Sequence, residues 1–168
     1  MDALAWLEQT RLSAFVREDF YAYFVLLIFH AWGMAFLVGG GIGVSLRVMG
    51  VANKAPLARF RMVFAWMKFG AVMAIISGIG LLFGYPAKAL TNWVFALKLA
   101  CLIAAAMLLR HIARTSFDRR VEPPGLVRIE AFASLVLWLA GVAAGKLLLY
   151  TNSMLMTTDA VFANGGEF

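Results

Sequence analysis

The sequence is poor in residues that cross-link a chain or bind a metal. It has one cysteine, Cys101, and two histidines, His30 and His111. A single cysteine excludes an internal disulfide. Without a CxxC or CxxCH motif, the chain has neither a zinc pattern nor the attachment site of a c-type haem. The N-terminus has no basic region before the first apolar run, which argues against a cleaved signal peptide.

Charged residues are also scarce, at 14% of the 168 residues, whereas 63% are hydrophobic. A soluble core of this size cannot hide so much apolar surface, but a bilayer solvates it. In a soluble domain the net charge of +6 would suggest nucleic acid. Here the cations cluster between apolar runs, as topology signals do. We therefore expect an all-α integral membrane protein with the lipid bilayer, and no nucleic acid, as a partner.

Four apolar runs predict a four-helix bundle that makes the chain, residues 1–168, a single transmembrane domain. Each run has the roughly 20 residues that cross about 30 Å of hydrocarbon, where the backbone must be helical. The expected spans are about 20–46, 62–87, 90–109 and 129–150, with residues 151–168 as an external tail. A short surface helix is expected within residues 1–19, with one face formed by Leu4, Leu7, Ala14 and Phe15.

The basic residues predict the orientation, because cytoplasmic loops carry the excess of Lys and Arg. The loop between spans two and three carries only Lys88, and the termini are acidic or neutral. We expect a protein of the cytoplasmic (inner) membrane with both termini outside. The other two loops and their flanks carry nine basic residues: Arg47, Lys54, Arg59, Arg61, Arg110, Arg114, Arg119, Arg120 and Arg128.

Small residues recur at helical spacing and predict where helices approach each other. Gly70, Ala74 and Gly78 repeat every four residues in span two, and Gly141 and Gly145 do so in span four. Span one has Gly33 and a run of glycines that includes Gly40. These glycines either pack a neighbouring helix or leave room for a flat cofactor.

Ionisable residues inside the spans cost at least ~2.5–3.5 kcal/mol each at the centre, which makes them informative. His30 lies about 15 Å below the outer end of span one at 1.5 Å per residue. Lys98 and Lys146 also fall in the outer half. Lys68 and Glu130 fall toward the inner side, where we expect Glu130 to contact Arg47.

His111 is not expected to share one iron with His30. It follows Arg110 at the inner end of span three, whereas His30 lies about 16 residues from the inner end of its span, an offset of roughly 24 Å. We interpret His111 as an interfacial loop residue.

His30, Gly33 and Gly40 lie on one helix face, which suits axial ligation of a haem iron. The alternative is a histidine bonded to a neighbouring helix. Lys98 and Lys146 have no acidic partner in the outer half, so haem propionates could pair with them. A neutral Lys98 amine could instead bind iron as a second ligand, and either lysine could extend to the surface.

The first span, from His30-Ala-Trp-Gly through the glycine run to Arg47, resembles the first helix of two groups. They are the HemJ-type protoporphyrinogen oxidases and the CopD-type copper-resistance membrane domains. Trp93 followed by Leu97-Lys98-Leu99, and a last span that ends in Lys146, are similar to the HemJ type. The resemblance implies one b-type haem, with His30 as its ligand and Lys98 as a site residue.

Three functions remain open. The first is a b-type haem protein, an oxidoreductase if it is an enzyme, acting in electron transport or a porphyrin or quinone oxidation. It would need a redox or membrane-protein partner, and homo-oligomers are left open. The second is copper handling at the outer face, where Met154 and Met156 offer thioethers. The third is a non-catalytic accessory subunit of a membrane complex.

Overall fold

The structure, a computed structural model, is entirely helical in the regular elements that it describes. It describes residues 6, 9–51, 60–86, 90–116 and 125–164, without the side chains of 116, 149 and 151–164. The principal helices are α1 (Arg11–Glu18), α2 (Phe20–Met49), α3 (Arg61–Gly84), α4 (Trp93–Ser116) and α5 (Gly125–Asn164).

Four of these helices are long and apolar enough to cross a membrane, which confirms the predicted fold class of a multi-pass all-α protein. The candidate spans are Phe20–Met49, Arg61–Gly84, Trp93–Thr115 and Gly125–Leu148. Only 17–28% of the most apolar stretch of each span is buried inside the bundle, which leaves a large surface exposed. Since this exposed surface is apolar, lipid is the solvent that suits it.

The ends of α2 follow from two residues. The Asp19 side chain accepts hydrogen bonds from the backbone N–H groups of Tyr21 and Ala22, at 2.8 and 3.2 Å, and so caps the helix start. Gly50 ends the helix in the left-handed region at φ 99°, which glycine adopts without a steric penalty. The 30 residues between them reach about 45 Å, more than the hydrocarbon thickness.

Helix α5 is longer than predicted. Its 40 residues continue to Asn164, through most of the expected tail at 151–168. Residues 151–164 contain neither proline nor glycine, so nothing in their sequence ends the helix at the membrane edge. Similarly, α4 continues to Ser116, beyond the expected end at Leu109.

Helix α1 packs against α3 and α2 through a face that was not predicted. Ser13 and Val16 are its buried residues, and Val16 contacts Gly84 at the end of α3. Phe15 of the predicted face is exposed, and Ala14 is half-buried. Leu4 and Leu7 lie outside the described residues.

The bundle is arranged around α2. This helix packs against α3 on one side and α5 on the other, and α4 packs mainly against α5. Within the described residues, α3 does not pack along α4 or α5. The second and third spans therefore both contact α2 but do not pack along each other in the described part of the chain.

Buried side chains concentrate in one half of the bundle. We call this the closed half, at the Met49, Arg61 and Gly125 ends of the helices, and the other the open half, at the Phe20, Gly84 and Trp93 ends. The core of the closed half consists of Val38, Val44, Val48, Met67, Ala105, Leu109, Ile112, Val127, Ala131 and Trp138.

The closed half is also joined by polar contacts between helices. The Ser45 hydroxyl donates to Ser134 at 3.4 Å, and Ser134 donates to the carbonyl of Ala105 at 3.3 Å. These bonds link α2, α5 and α4, as serines commonly do between membrane helices. Trp138 is fully buried against Gly41, where no side chain would fit.

Candidate functional site

His30 faces α3 in the open half. Its Nδ1 lies 3.0 Å from the carbonyl oxygen of Ala74. A carbonyl can only accept, so Nδ1 carries the proton and donates it. In the neutral imidazole this is the tautomer in which Nε2 has a free lone pair. Nε2 makes no hydrogen bond with the residues that the structure describes.

Ser77 and Gly78 also contact this imidazole. The Ser77 hydroxyl donates to the Met73 carbonyl at 2.7 Å, which leaves its oxygen lone pairs facing Nδ1 of His30 at 3.3 Å. A Cβ added at Gly78 would lie 3.2 Å from Cε1 of the ring. The ring therefore lies against the backbone of α3, in a space that any larger residue at position 78 would narrow.

Lys98 approaches the same place from α4. Its side chain is half-buried and crosses Gly145 of α5, where an added Cβ would lie 3.3 Å from Cε and 3.4 Å from Nζ. Its charge is close enough to His30 for the two groups to interact electrostatically. The structure thus brings together His30 and Lys98, which the sequence had placed only at a similar depth.

Neither group has an acidic neighbour among the residues whose side chains the structure describes. The sequence contains no Asp or Glu between residues 20 and 117, and therefore none in the first three spans. Lys98 makes no hydrogen bond or ion pair with the described residues. A half-buried ammonium without a counter-charge is costly, so this site favours an anionic or electron-donating group from outside the chain.

Gly33 and Gly40 bring α2 and α3 together. A Cβ at Gly33 would lie 2.5 Å from the backbone nitrogen of Ala74, and Gly40 lies directly against Met67. The sequence left two interpretations of these glycines open, helix packing or room for a flat cofactor. On the side that faces α3, both glycines take part in close helix packing. The glycines that border His30 and Lys98 are Gly78 and Gly145.

The remaining ionisable residues lie apart from His30 and Lys98. Lys146 follows Gly145 in the chain, but its side chain is exposed, as is that of Lys68. Nε2 of His111 lies 3.8 Å from Glu130 in the closed half, within helix α4 rather than in a loop. The predicted contact between Glu130 and Arg47 stays a prediction.

A shallow groove of about 410 Å³ opens on the outer surface between α2 and α3. It is lined by Ala35, Phe36, Gly40, Val63 and Trp66, and does not include His30 or Lys98. Gly40 therefore borders an apolar groove as well as Met67.

Within the described residues, no three His, Cys, Asp or Glu side chains form a cluster that could hold a metal ion by themselves. The methionines of the copper hypothesis, Met154 and Met156, belong to the part of α5 whose side chains are not described.

Sequence reasoning missed the role of three residues at this site. Gly78 and Gly145 were recognised as helix-packing glycines, but their contacts with His30 and Lys98 were not. Ser77 was not singled out, although it lies one helical turn after Met73 and beside Gly78 in the sequence. A serine next to the small-residue face of a span is a signal of this kind, because its hydroxyl often bonds across a helix interface.

Comparison with known proteins adds no assignment: no protein-family model, no curated protein and no solved structure matches this chain.

Proposed function

We propose that this chain is a membrane-integral b-type haem protein that acts in electron transfer or in a porphyrin- or quinone-type oxidation. One haem b would bind in the open half of the bundle, with His30 as an axial ligand. Lys98 would be the second ligand or, together with Lys146, a partner of the propionates. We further propose the cytoplasmic membrane as its location, with both termini outside.

The observation that carries this proposal is the hydrogen bond from His30 Nδ1 to the Ala74 carbonyl. Histidines that bind metals nearly always donate their other ring N–H in this way, which fixes the tautomer and the ring orientation. The same bond leaves Nε2 as the nitrogen that would bind iron. A histidine whose role is only to join two helices would also make this bond. That role does not explain why Lys98, which is unpaired among the described residues, lies beside it, whereas a bound anionic ligand does.

The charge of the site supports the same class of ligand. Lys98 is unpaired among the described residues and lies over Gly145. Lys146 is the next residue in the chain after that glycine. Haem b has two propionates, so one ligand would offer a counter-charge to both lysines. Gly78 and Gly145 keep the walls beside His30 and Lys98 free of side chains.

A haem bound here would supply a reversible one-electron iron couple. The protein's own contributions would be distinct. Ala74 and Ser77 orient His30, and the apolar spans keep bulk water away. Because α3 and α4 do not pack along each other within the described residues, an apolar electron donor or substrate would approach from the bilayer between them.

The direct test is the haem content of the full-length protein, purified in mild detergent from haem-replete cells. We expect close to one haem b per chain, released intact by acidic organic solvent because it is not covalently attached. A colourless protein would reject the proposal. Bound copper in its place would favour the copper-handling function, and the absence of both would favour an accessory subunit.

A further inference from the structure

Lys68 has no function in the haem proposal, yet it lies well inside a span. It is the eighth residue of α3, whose first residue is Arg61. Its side chain is exposed on the outer surface of the bundle, away from the buried face formed by Met67, Gly70 and Ala74. It is therefore a cation that faces lipid rather than the protein interior.

Lys68 has no acidic partner among the residues that the structure describes. The first three spans contain no acidic residue, and Lys68 forms no ion pair within the described residues. Helix α3 packs against α1 and α2, and the acidic residues Glu18 and Asp19 lie at the opposite end of the bundle. A lipid-facing ammonium must then reach the interface or meet an anion in the bilayer.

The geometry favours an anion at the Arg61 end of the helix. Side chains lean toward the N-terminus of their helix, which directs Lys68 toward that end. Arg61 is exposed as well and lies seven residues earlier, on the same helix face and about 10 Å away along the axis. Between them lie Ala65, which is exposed and small, and Phe64, which is half-buried against the core. Only the Ala65 side of the surface between the two cations is therefore free of bulky side chains.

We propose that Lys68, with Arg61, binds the phosphate headgroup of an anionic phospholipid in the leaflet at the closed half. The ammonium of Lys68 would contact the phosphate from the hydrocarbon side, and the guanidinium of Arg61 would contribute from the interface. The lipid chains would lie along the apolar surface of α3 formed by Val72, Ile75, Ile76 and Ile79, which are all exposed. This site does not depend on haem.

The test uses the full-length protein in nanodiscs made from an equal mixture of phosphatidylglycerol and phosphatidylcholine. The lipids that remain on the protein after transfer to detergent are counted by native mass spectrometry. We expect the wild type to retain phosphatidylglycerol preferentially. The preference should fall about five-fold in Lys68→Gln, as expected for loss of one basic contact, and should persist in Lys68→Arg.

Two further variants separate a site from general charge attraction. Arg11→Gln removes an exposed cation at the other end of the bundle and should keep the wild-type preference. Ala65→Leu keeps every charge but fills the surface between the two cations, and should weaken retention. An unchanged preference in Lys68→Gln, or an equal loss in Arg11→Gln, would overturn the proposal. So would displacement of the lipid by excess inorganic phosphate, which would identify a free-anion site instead.

Discussion

The imidazole of His30 and the carbonyl of Ala74 are joined by a 3.0 Å hydrogen bond between two helices that are apolar along most of their length. The bond orients the ring, and Lys98 lies close enough to interact with it electrostatically. The approach of α2 to α3 depends on Gly33, which lies three residues after His30 and itself contacts Ala74. Helix packing and site geometry therefore share one backbone segment.

Replacing Gly33 by alanine should loosen this interface. The added Cβ would lie 2.5 Å from the Ala74 nitrogen and 2.8 Å from the Gly70 carbonyl, and backbone atoms cannot move aside as a flexible side chain can. We expect a loss of about 1–3 kcal/mol in the free energy of unfolding, typical of overpacking. Denaturant unfolding in detergent micelles measures it.

Gly39→Ala is the matched control on the same helix. Its Cβ would meet nothing within 4 Å, so the variant should be as stable as the wild type or slightly more stable, because alanine favours the helix. Equal stability of Gly33→Ala and Gly39→Ala would show that α2 and α3 do not approach as closely as described.

Lys98→Met should separate the two roles proposed for this lysine. Methionine keeps the length and apolar stem but removes the charge. If the amine binds iron, the absorption spectrum or the midpoint potential should change. If the ammonium pairs with a propionate, the spectrum should stay similar and haem should be lost faster on dilution. Redox titration and haem-release kinetics distinguish these results, and a variant unchanged in both would remove Lys98 from the site.

Gly145→Ala tests the position of Lys98 without changing its charge. A Cβ at 3.3 Å from Cε and 3.4 Å from Nζ of Lys98 would displace the end of that side chain by a few tenths of an ångström. We expect the absorption spectrum, the midpoint potential or the rate of haem release to change in the same direction as in Lys98→Met, but by less. Gly43→Ala is the control, since its Cβ would meet nothing within 4 Å, and it should behave as the wild type.

The proposed topology has its own test. Nine basic residues in or beside two loops, against Lys88 alone in the third, predict that those two loops are cytoplasmic. Reporter fusions at Ala52 and at Phe168 should give a cytoplasmic signal at the first position and an external signal at the second. A cytoplasmic signal at Phe168 would reverse the orientation.

The sequence was sufficient to predict the four spans and the helical class, because long apolar runs in lipid have only one way to satisfy their backbone. It predicted the helix ends less well. The apolar signal of span three stops near Leu109, but α4 continues to Ser116, because leaving the hydrocarbon does not break a helix. The same reason explains the continuation of α5 to Asn164.

The sequence predicted the depth of the candidate site along the helices, but not how each helix is rotated about its own axis. Residue counts placed His30 and Lys98 at similar levels, and the structure brings them within electrostatic range. The sequence did not indicate that Lys98 would cross Gly145, or which helix Gly33 would contact, because both depend on how each helix turns about its axis. That rotation is set by pairs of facing residues such as Gly41 and Trp138, which only the packed bundle reveals.

The central claim is that His30 binds haem iron through Nε2, and a reduced-minus-oxidised visible spectrum of purified variants tests it most directly. The wild type should show the sharp bands of a b-type haem, and His30→Ala should lose them together with the Soret band. His111→Ala should keep them, because that histidine lies in the closed half beside Glu130. A wild-type spectrum retained in His30→Ala, or lost in His111→Ala, would contradict the claim.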